Sequence, residues 1–139
     1  MVRVRAGYWR LCCLDKFERH DAQLCAMAAR DKQMVLAWRN QDRVRQHMYT
    51  THVISEAEHD TWFGNVLVRQ DQKHFIFGFR DRPVGVVSFT DIDQHSQTAS
   101  WAFYLGETDV PKGTGSLMEY VALEYAFDDL ELFKLSCEV

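Results

Sequence analysis

Two glycines directly before a helical stretch are the part of the sequence with the clearest chemistry. Gly113 and Gly115 precede a segment whose apolar residues recur at helical spacing: Leu117, Met118, Val121, Ala122 and Tyr125. Glycine lets the backbone approach a ligand closely, and a helix N-terminus presents unpaired N–H groups and the positive end of the helix dipole. The spacing therefore predicts an anion site, for which phosphate is the usual ligand.

The composition favours a single folded domain. The 139 residues carry a net charge of −4, with 47% hydrophobic and 26% charged residues. The acidic balance argues against a nucleic-acid partner, and no apolar run suits a membrane span or a secretory signal. The four cysteines form no C-x-x-C pair and the six histidines are scattered. We therefore expect reduced thiols in a cytoplasmic protein, with no metal site.

Two helical segments are predicted in the first half of the chain. The first follows Asp31 as its cap and breaks near Asn40, with an apolar face (Met34, Val35, Trp38, Val44, Met48) and a polar face (Arg39, Asn40, Asp42, Arg43). The second begins at Ser55, because Ser55 and Glu58 have the spacing of a capping box. Its apolar stripe is Trp62, Phe63, Val66 and Leu67.

The middle of the chain changes to strand character. Residues 74–79, 84–93 and 98–105 predict an antiparallel meander, with a turn at residues 81–83 and a polar loop at residues 94–97. Further strands are predicted within residues 2–14, at residues 24–28 and at residues 133–139, and residues 17–21 are expected to be a polar connection. The glycine loop and its helix stand between two strands, and such a passage usually makes those strands parallel.

This order of elements resembles the GNAT acyltransferase fold, an α/β fold with a mixed central sheet and flanking helices. In that family the loop before the long helix reads Arg or Gln, two residues, Gly, one residue, then Gly or Ala. Gly113-Thr-Gly115 matches the end of this pattern, whereas Val110 stands where Arg or Gln is expected. The resemblance implies that the loop holds the pyrophosphate of acetyl-CoA.

Several strings are similar to one branch, the UDP-4-amino-4,6-dideoxy-N-acetyl-β-L-altrosamine N-acetyltransferases of pseudaminic acid biosynthesis. They are Val35-Leu-Ala-Trp-Arg-Asn40, Val44-Arg45, Met48-Tyr49, Ile54-Ser55, His59-x-x-Trp62, Pro83-Val-Gly-Val-Val-Ser-Phe-Thr-Asp91, Lys112-Gly-Thr-Gly-Ser116 and Lys134-Leu-x-Cys-Glu-Val139. This resemblance implies N-acetylation of the 4-amino group of a UDP-linked amino-deoxy-sugar, with acetyl-CoA as co-substrate. The ribosomal-protein N-terminal acetyltransferases share the fold and remain an alternative, as does an inactive CoA-binding fragment.

The resemblance also assigns residues to each part of the reaction. The backbone of Phe103, Tyr104 and Leu105 would pair with pantetheine and polarise the thioester carbonyl, and the phosphates would be held by Lys112, Gly113, Thr114, Gly115 and Ser116. The amino-sugar would contact Arg39, Met48, Tyr49, His59, Trp62, Ser88 and Tyr104. Glu138 is the expected base, because partial burial between Cys137 and Val139 would raise its pKa.

The resemblance divides the chain into two parts. Residues 1–21 form an N-terminal extension without a counterpart, and residues 22–139 form the GNAT domain. The family normally continues with a helix and two strands after the Cys-Glu-Val strand, so we expect a C-terminally incomplete fold. An exposed edge on the last strand would favour a homodimer.

Overall fold

A computed structural model describes residues 17–46 and 52–136. Within them a single mixed sheet has the strand order β1-β2-β3-β4-β5. The strands are β1 (Ala22–Ala26), β2 (Lys73–Phe79), β3 (Arg82–Asp93), β4 (Thr98–Leu105) and β5 (Lys134–Ser136). The first four pair antiparallel, and β5 runs parallel to β4. The α/β fold with a mixed central sheet that the sequence predicts is therefore confirmed.

Helices cover both faces of this sheet. They are α1 (Lys32–Arg39), α2 (Asp42–Arg45), α3 (Glu56–Val68) and α4 (Thr114–Glu124), and the π-helical turn Tyr125–Asp129 continues α4. Because side chains alternate along a strand, Ile76 packs with α1 and α3 while its neighbour Phe77 packs with α4. No helix in the described residues is long and apolar enough to span a membrane.

The predicted break near Asn40 is confirmed, and it has a specific cause. The Asn40 side chain donates to the carbonyl of Ile54 at 2.9 Å and accepts from the Ile54 N–H at 2.7 Å. These bonds fix the corner between α1 and α2 to the segment before α3. Arg39, which the sequence places on the polar face of α1, is buried and only 9% exposed.

The start of α3 is confirmed, but its apolar stripe needs correction. Ser55 Oγ accepts from the Glu58 N–H at 3.1 Å, as the capping motif predicts, while the Glu58 carboxylate contacts His52 at 2.9 Å. Leu67 is 43% exposed and does not belong to the buried stripe, which instead contains the fully buried His59. The buried residues of the stripe are therefore His59, Phe63 and Val66, at the expected spacing of four and three residues. The predicted member Trp62 is half-buried and packs against the same cluster.

The turn between β2 and β3 lies earlier than the sequence predicts. Arg80 and Asp81 have φ values of 49° and 66°, as both central residues of a type I′ hairpin turn do. Arg82 and Pro83, expected in the turn, begin β3 instead. This two-residue turn matches the right-handed twist of the paired strands. Pro83 then lies at the beginning of β3, where its missing N–H is tolerated.

The remaining boundaries differ in detail. The apolar residues predicted for α4 are buried except for Tyr125, which is half-buried and begins the π-helical turn.

Phe17, expected in a polar connection, is 2% exposed and packs edge-on against Phe79 with ring centroids 5.4 Å apart. Of the last predicted strand, Phe133 precedes β5 and residues 137–139 lie outside the described residues. The strand predicted within residues 2–14 also lies outside them.

Candidate functional site

The outer edge of β4 is paired over only part of its length. Among the described residues, β5 pairs with β4 through Thr98, Ala99 and Ser100. From residue 101 onwards no described strand lies beside this edge. Among the described residues, the second half of β4 therefore has no neighbouring strand on this side, where the extended chain of a ligand could pair with it.

The register with β3 shows which backbone groups face this open edge. The Gly106 N–H donates to the Val84 carbonyl at 2.7 Å, and Tyr104 is the register partner of Val86. Successive residues of a strand direct their N–H and C=O groups to opposite neighbours. Phe103 and Leu105 therefore direct theirs away from β3, whereas the backbone of Tyr104 is bonded to β3.

The glycine loop lies at the end of the open edge. Gly113 has φ 98° and caps α4, and this conformation is readily adopted only by glycine. The N–H groups of Gly115 and Ser116 have no hydrogen-bond partner among the described residues. A Cβ atom added to Gly115 would lie 3.6 Å from Leu105 Cδ1. The free N–H groups that open α4 therefore adjoin the last residue of β4.

Thr114 shapes this loop from inside. Its side chain is fully buried, and both its hydroxyl and its N–H donate to the Pro111 carbonyl, at 2.6 Å and 3.1 Å. Thr114 therefore stabilises the loop, and both of its hydrogen-bond donors are used within it. Lys112 is exposed at the start of the turn.

Three of the predicted acceptor residues meet on the face of the sheet covered by α1 and α3. The guanidinium carbon of Arg39 lies 4.1 Å from the centre of the Trp62 ring, within the range of a cation–π contact. Arg39 Nη1 lies 3.1 Å from His59 Nδ1, and the His59 and Trp62 rings stack at 5.6 Å. Arg39, which is charged and buried, keeps an Nε–H without a partner among the described residues.

The contacts of His59 determine its protonation state. Its Nε2 lies 2.7 Å from the Lys32 carbonyl, which can only accept, so Nε2 carries the proton. Nδ1 then accepts from Arg39, which can only donate. Burial, together with the Arg39 charge, lowers the pKa of His59. The ring is therefore neutral at pH 7, with both nitrogens hydrogen-bonded.

Tyr104 joins this cluster to β4. It is half-buried and packs against the apolar residues under α1 and α3. Burial raises the pKa of its hydroxyl, and the nearby Arg39 charge opposes this rise in part. The hydroxyl therefore keeps its proton and can act as a hydrogen-bond donor.

Ser88 lies beside a second histidine, His74, which is half-buried. Ser88 Oγ is 2.8 Å from His74 Nδ1, and His74 Nε2 is 3.1 Å from Gln72 Oε1. Burial lowers the pKa of His74 to about 4, so this ring is also neutral at pH 7. Met48, Tyr49 and Glu138 lie outside the described residues.

A group of contacts that the sequence did not indicate connects the α1–α2 corner to the end of β4. Arg43 Nη1 donates to the Leu105 carbonyl at 2.8 Å, and Gln41 Nε2 donates to the Gly106 carbonyl at 2.8 Å. Trp38 Nε1 lies 3.3 Å from Glu107 Oε1. Arginine and glutamine in a polar segment give no local sign of such a role, because their partners are more than sixty residues away.

A separate cleft of about 410 Å³ lies at the opposite end of the sheet. It is lined by the start of β2, the end of α3 and Tyr125, and it includes His74. The register of the meander places the start of β2 beside Val87 and Phe89, far along β3 from the glycine loop. This cleft is therefore distinct from the open edge of β4.

Comparison with known proteins gives a family and a fold. A family profile described as an acetyltransferase (GNAT) domain matches residues 22–139. Among curated proteins there is no match.

Three solved structures illustrate the likeness in fold. The spermidine N-acetyltransferase of Vibrio cholerae, in complex with CoA and spermine, is 17% identical over 85% of this chain and 70% of that chain, with a TM-score of 0.76. The Campylobacter jejuni N-acetyltransferase PseH is 16% identical over 86% and 76%, with a TM-score of 0.62. A domain from Methanocaldococcus jannaschii is 16% identical over 84% and 75%, with a TM-score of 0.70.

Proposed function

Because this chain belongs to the GNAT acetyltransferase family and is an acetyl-CoA-dependent N-acetyltransferase, we propose that its acceptor is a nucleotide-linked amino-deoxy-sugar. The reaction would acetylate the 4-amino group of a UDP-linked sugar of the kind used in pseudaminic acid biosynthesis. The observation that carries this proposal is the buried, cationic and incompletely bonded Arg39 beside Trp62 and Tyr104.

Arg39 distinguishes this acceptor from a polyamine. A buried donor without a partner costs about 1–3 kcal/mol, more when it is charged. A phosphate oxygen, or the carbonyl of an N-acetyl group on the sugar, would accept a hydrogen bond from Arg39, while Trp62 would supply an apolar wall. A polyamine, such as the spermine in the Vibrio cholerae complex, carries positive charges that Arg39 would repel. The charge of this site therefore favours an anionic acceptor.

The co-substrate would occupy the open edge of β4 and the glycine loop. Pantetheine would pair with the outward-facing backbone groups of Phe103 and the N–H of Leu105, whose carbonyl already accepts from Arg43. The free N–H groups of Gly115 and Ser116 would receive the phosphates. Tyr104 would then stand between the thioester and the acceptor cluster, since its side chain lies on the face of Arg39.

The chemistry follows as direct transfer within a ternary complex. The neutral amine attacks the thioester carbonyl carbon, and the resulting negative charge on oxygen is stabilised by a backbone N–H at the open edge of β4. The C–N bond forms, the C–S bond breaks, and CoA leaves as a thiolate. The amine gives up a proton, which we assign to Glu138 as base.

The acceptor is tested by a panel of amines. Purified protein with acetyl-CoA should acetylate a UDP-linked 4-amino-4,6-dideoxy-sugar, with much lower turnover of spermidine and of an N-terminal peptide. Mass spectrometry of the products and release of free CoA would measure each reaction. Preference for the peptide would replace the proposal with protein N-terminal acetylation, and binding of acetyl-CoA without turnover of any amine would indicate an inactive CoA-binding protein.

Arg39→Gln should raise the KM for the nucleotide sugar about 10- to 100-fold, because a charge-assisted hydrogen bond contributes about 1.5–3 kcal/mol. The dissociation constant of acetyl-CoA, measured by calorimetry, should stay near the wild-type value. Arg69→Gln removes the same charge from an exposed position, where Arg69 pairs with Asp71, and should change neither value. An unchanged KM in folded Arg39→Gln protein would remove Arg39 from the acceptor site.

Gly115→Val should weaken acetyl-CoA binding about 10- to 100-fold, because a branched side chain at the opening of α4 would stand where the phosphates approach the free N–H groups. Gly115→Ala serves as the control: its methyl group makes only an ordinary contact, 3.6 Å from Leu105 Cδ1, and should leave binding nearly intact. Equal affinity of the valine and alanine variants, measured by calorimetry, would contradict the assignment of this loop.

A further inference from the structure

We propose that Arg43 binds the phosphate groups of acetyl-CoA, together with the backbone N–H groups that open α4. This inference rests on the use of acetyl-CoA and is independent of the acceptor. It concerns a residue that belongs to the α1–α2 corner, far from the glycine loop in sequence.

Arg43 is held at the junction of the two co-substrate surfaces. Its Nη1 donates to the Leu105 carbonyl at 2.8 Å, and its Nη2 donates to Gln41 Oε1 at 3.0 Å. The side chain of Leu105 in turn adjoins Gly115 at the start of α4. Leu105 is thus in contact with Arg43 through its backbone and adjoins the glycine loop through its side chain.

The guanidinium has donors left for a ligand. Arginine carries five N–H bonds in a planar fork that fits phosphate, and the two hydrogen bonds of Arg43 use two of them. The side chain is exposed, so the remaining three face solvent or a bound anion. The two existing bonds fix the side chain, which reduces the entropy lost when a ligand binds.

The charges of the glycine loop itself cancel. Arg82 forms ion pairs with Asp109 at 2.6 Å and with Glu107 at 3.7 Å. With Lys112, the loop and its pairing partner therefore contain two cations and two carboxylates. The coenzyme's phosphates would meet no net positive charge from these residues alone.

Arg43 supplies the missing charge. The acidic residue next to it, Asp42, is paired with Arg45, and the partners of Arg43 are a carbonyl and an amide oxygen. Its charge is therefore uncompensated among the described residues. An exposed, fixed and unneutralised arginine at the end of β4 is suited to a dianionic ligand.

The test separates contact with phosphate from support of β4. Arg43→Ala should raise the dissociation constant of acetyl-CoA about 10-fold or more. It should raise the dissociation constant of adenosine 3′-phosphate 5′-diphosphate by a similar factor. This fragment keeps the coenzyme's phosphates and lacks the pantetheine that pairs with β4. Calorimetry without any acceptor measures both constants, so the result does not depend on which amine is acetylated.

Arg30→Ala is the matched control, since Arg30 is exposed in the turn before α1 and its loss changes the net charge equally. It should leave both affinities unchanged. If Arg43→Ala weakens the binding of acetyl-CoA but not that of the fragment, Arg43 acts by holding β4 and the proposal is overturned. Unchanged affinity for both ligands, or an equal loss in Arg30→Ala, would overturn it as well.

Discussion

Gly106→Ala should destabilise the protein by at least about 3 kcal/mol, a cost comparable to the loss of a large buried aromatic side chain. A Cβ atom at position 106 would lie 2.1 Å from Cδ2 and 2.3 Å from Cγ of Trp38. Trp38 is 3% exposed, so its ring has no free space into which to move. The added methyl group must displace the indole or separate α1 from β4. Urea unfolding followed by tryptophan fluorescence would measure the change.

Gly64→Ala is the control for this prediction. Gly64 lies inside α3 with nothing within 4 Å of the added methyl group, so alanine should raise stability by up to about 1 kcal/mol through helix propensity. Combining Gly106→Ala with Trp38→Leu should recover part of the loss, because the smaller side chain vacates the overlap. A Gly106→Ala protein that unfolds at the wild-type urea concentration would show that this contact is not rigid.

The Gly106 contact has a consequence for catalysis. α1 carries Arg39, and its neighbour Trp38 is locked against the residue that follows β4. The cluster around Arg39, which we propose binds the acceptor, is therefore held at a fixed position relative to the open edge of β4 by the close contact of a glycine with an indole ring. Acetyl transfer requires the amine and the thioester carbonyl to lie about 3 Å apart, and small displacements reduce the rate strongly.

The sequence predicted the parts of the fold that depend on local signals. Alternating apolar residues and turn residues located β2, β3 and β4, with β4 at its observed bounds. The pair Gly113 and Gly115 located the start of α4, because a left-handed backbone before a helix leaves few residue choices. The signal for the break at Asn40 was also local, since the helical period is interrupted there, although the bonds that fix the corner reach Ile54.

What the sequence could not show depends on partners distant along the chain. The sequence placed Arg39 on the polar face of α1 and gave no sign of its burial, because arginine is rarely buried. The burial depends on α3, which brings Trp62 and His59 against Arg39. A lone glycine after a strand gave no sign that Gly106 is required, although Trp38 excludes any side chain at this position. Arg43 likewise gains its role from Leu105 in β4. Each of these residues acts through a tertiary contact.

The acceptor amine must lose a proton, and the titratable groups on the α1–α3 face are poorly placed to take it. Both ring nitrogens of His59 are hydrogen-bonded, to Arg39 and to the Lys32 carbonyl, and both nitrogens of His74 are bonded to Ser88 and Gln72. The raised pKa of Tyr104 keeps its hydroxyl protonated. None of these three side chains of the described face offers a free base, which leaves the carboxylate of Glu138 as the candidate from the sequence.

Glu138→Gln should therefore lower kcat about 10²- to 10⁴-fold, the usual contribution of a positioned general base, with little change in the dissociation constant of acetyl-CoA. Glutamine keeps the size of the side chain but cannot accept the proton, so the remaining activity should rise with pH as the free amine becomes available. Glu119→Gln, an exposed change on α4, should have wild-type kinetics. A pre-steady-state assay with the UDP-linked amino-sugar would measure the chemical step directly. If Glu138→Gln retains the wild-type kcat and pH profile, the base lies elsewhere, and His59 and His74 would first have to lose their present hydrogen bonds to serve.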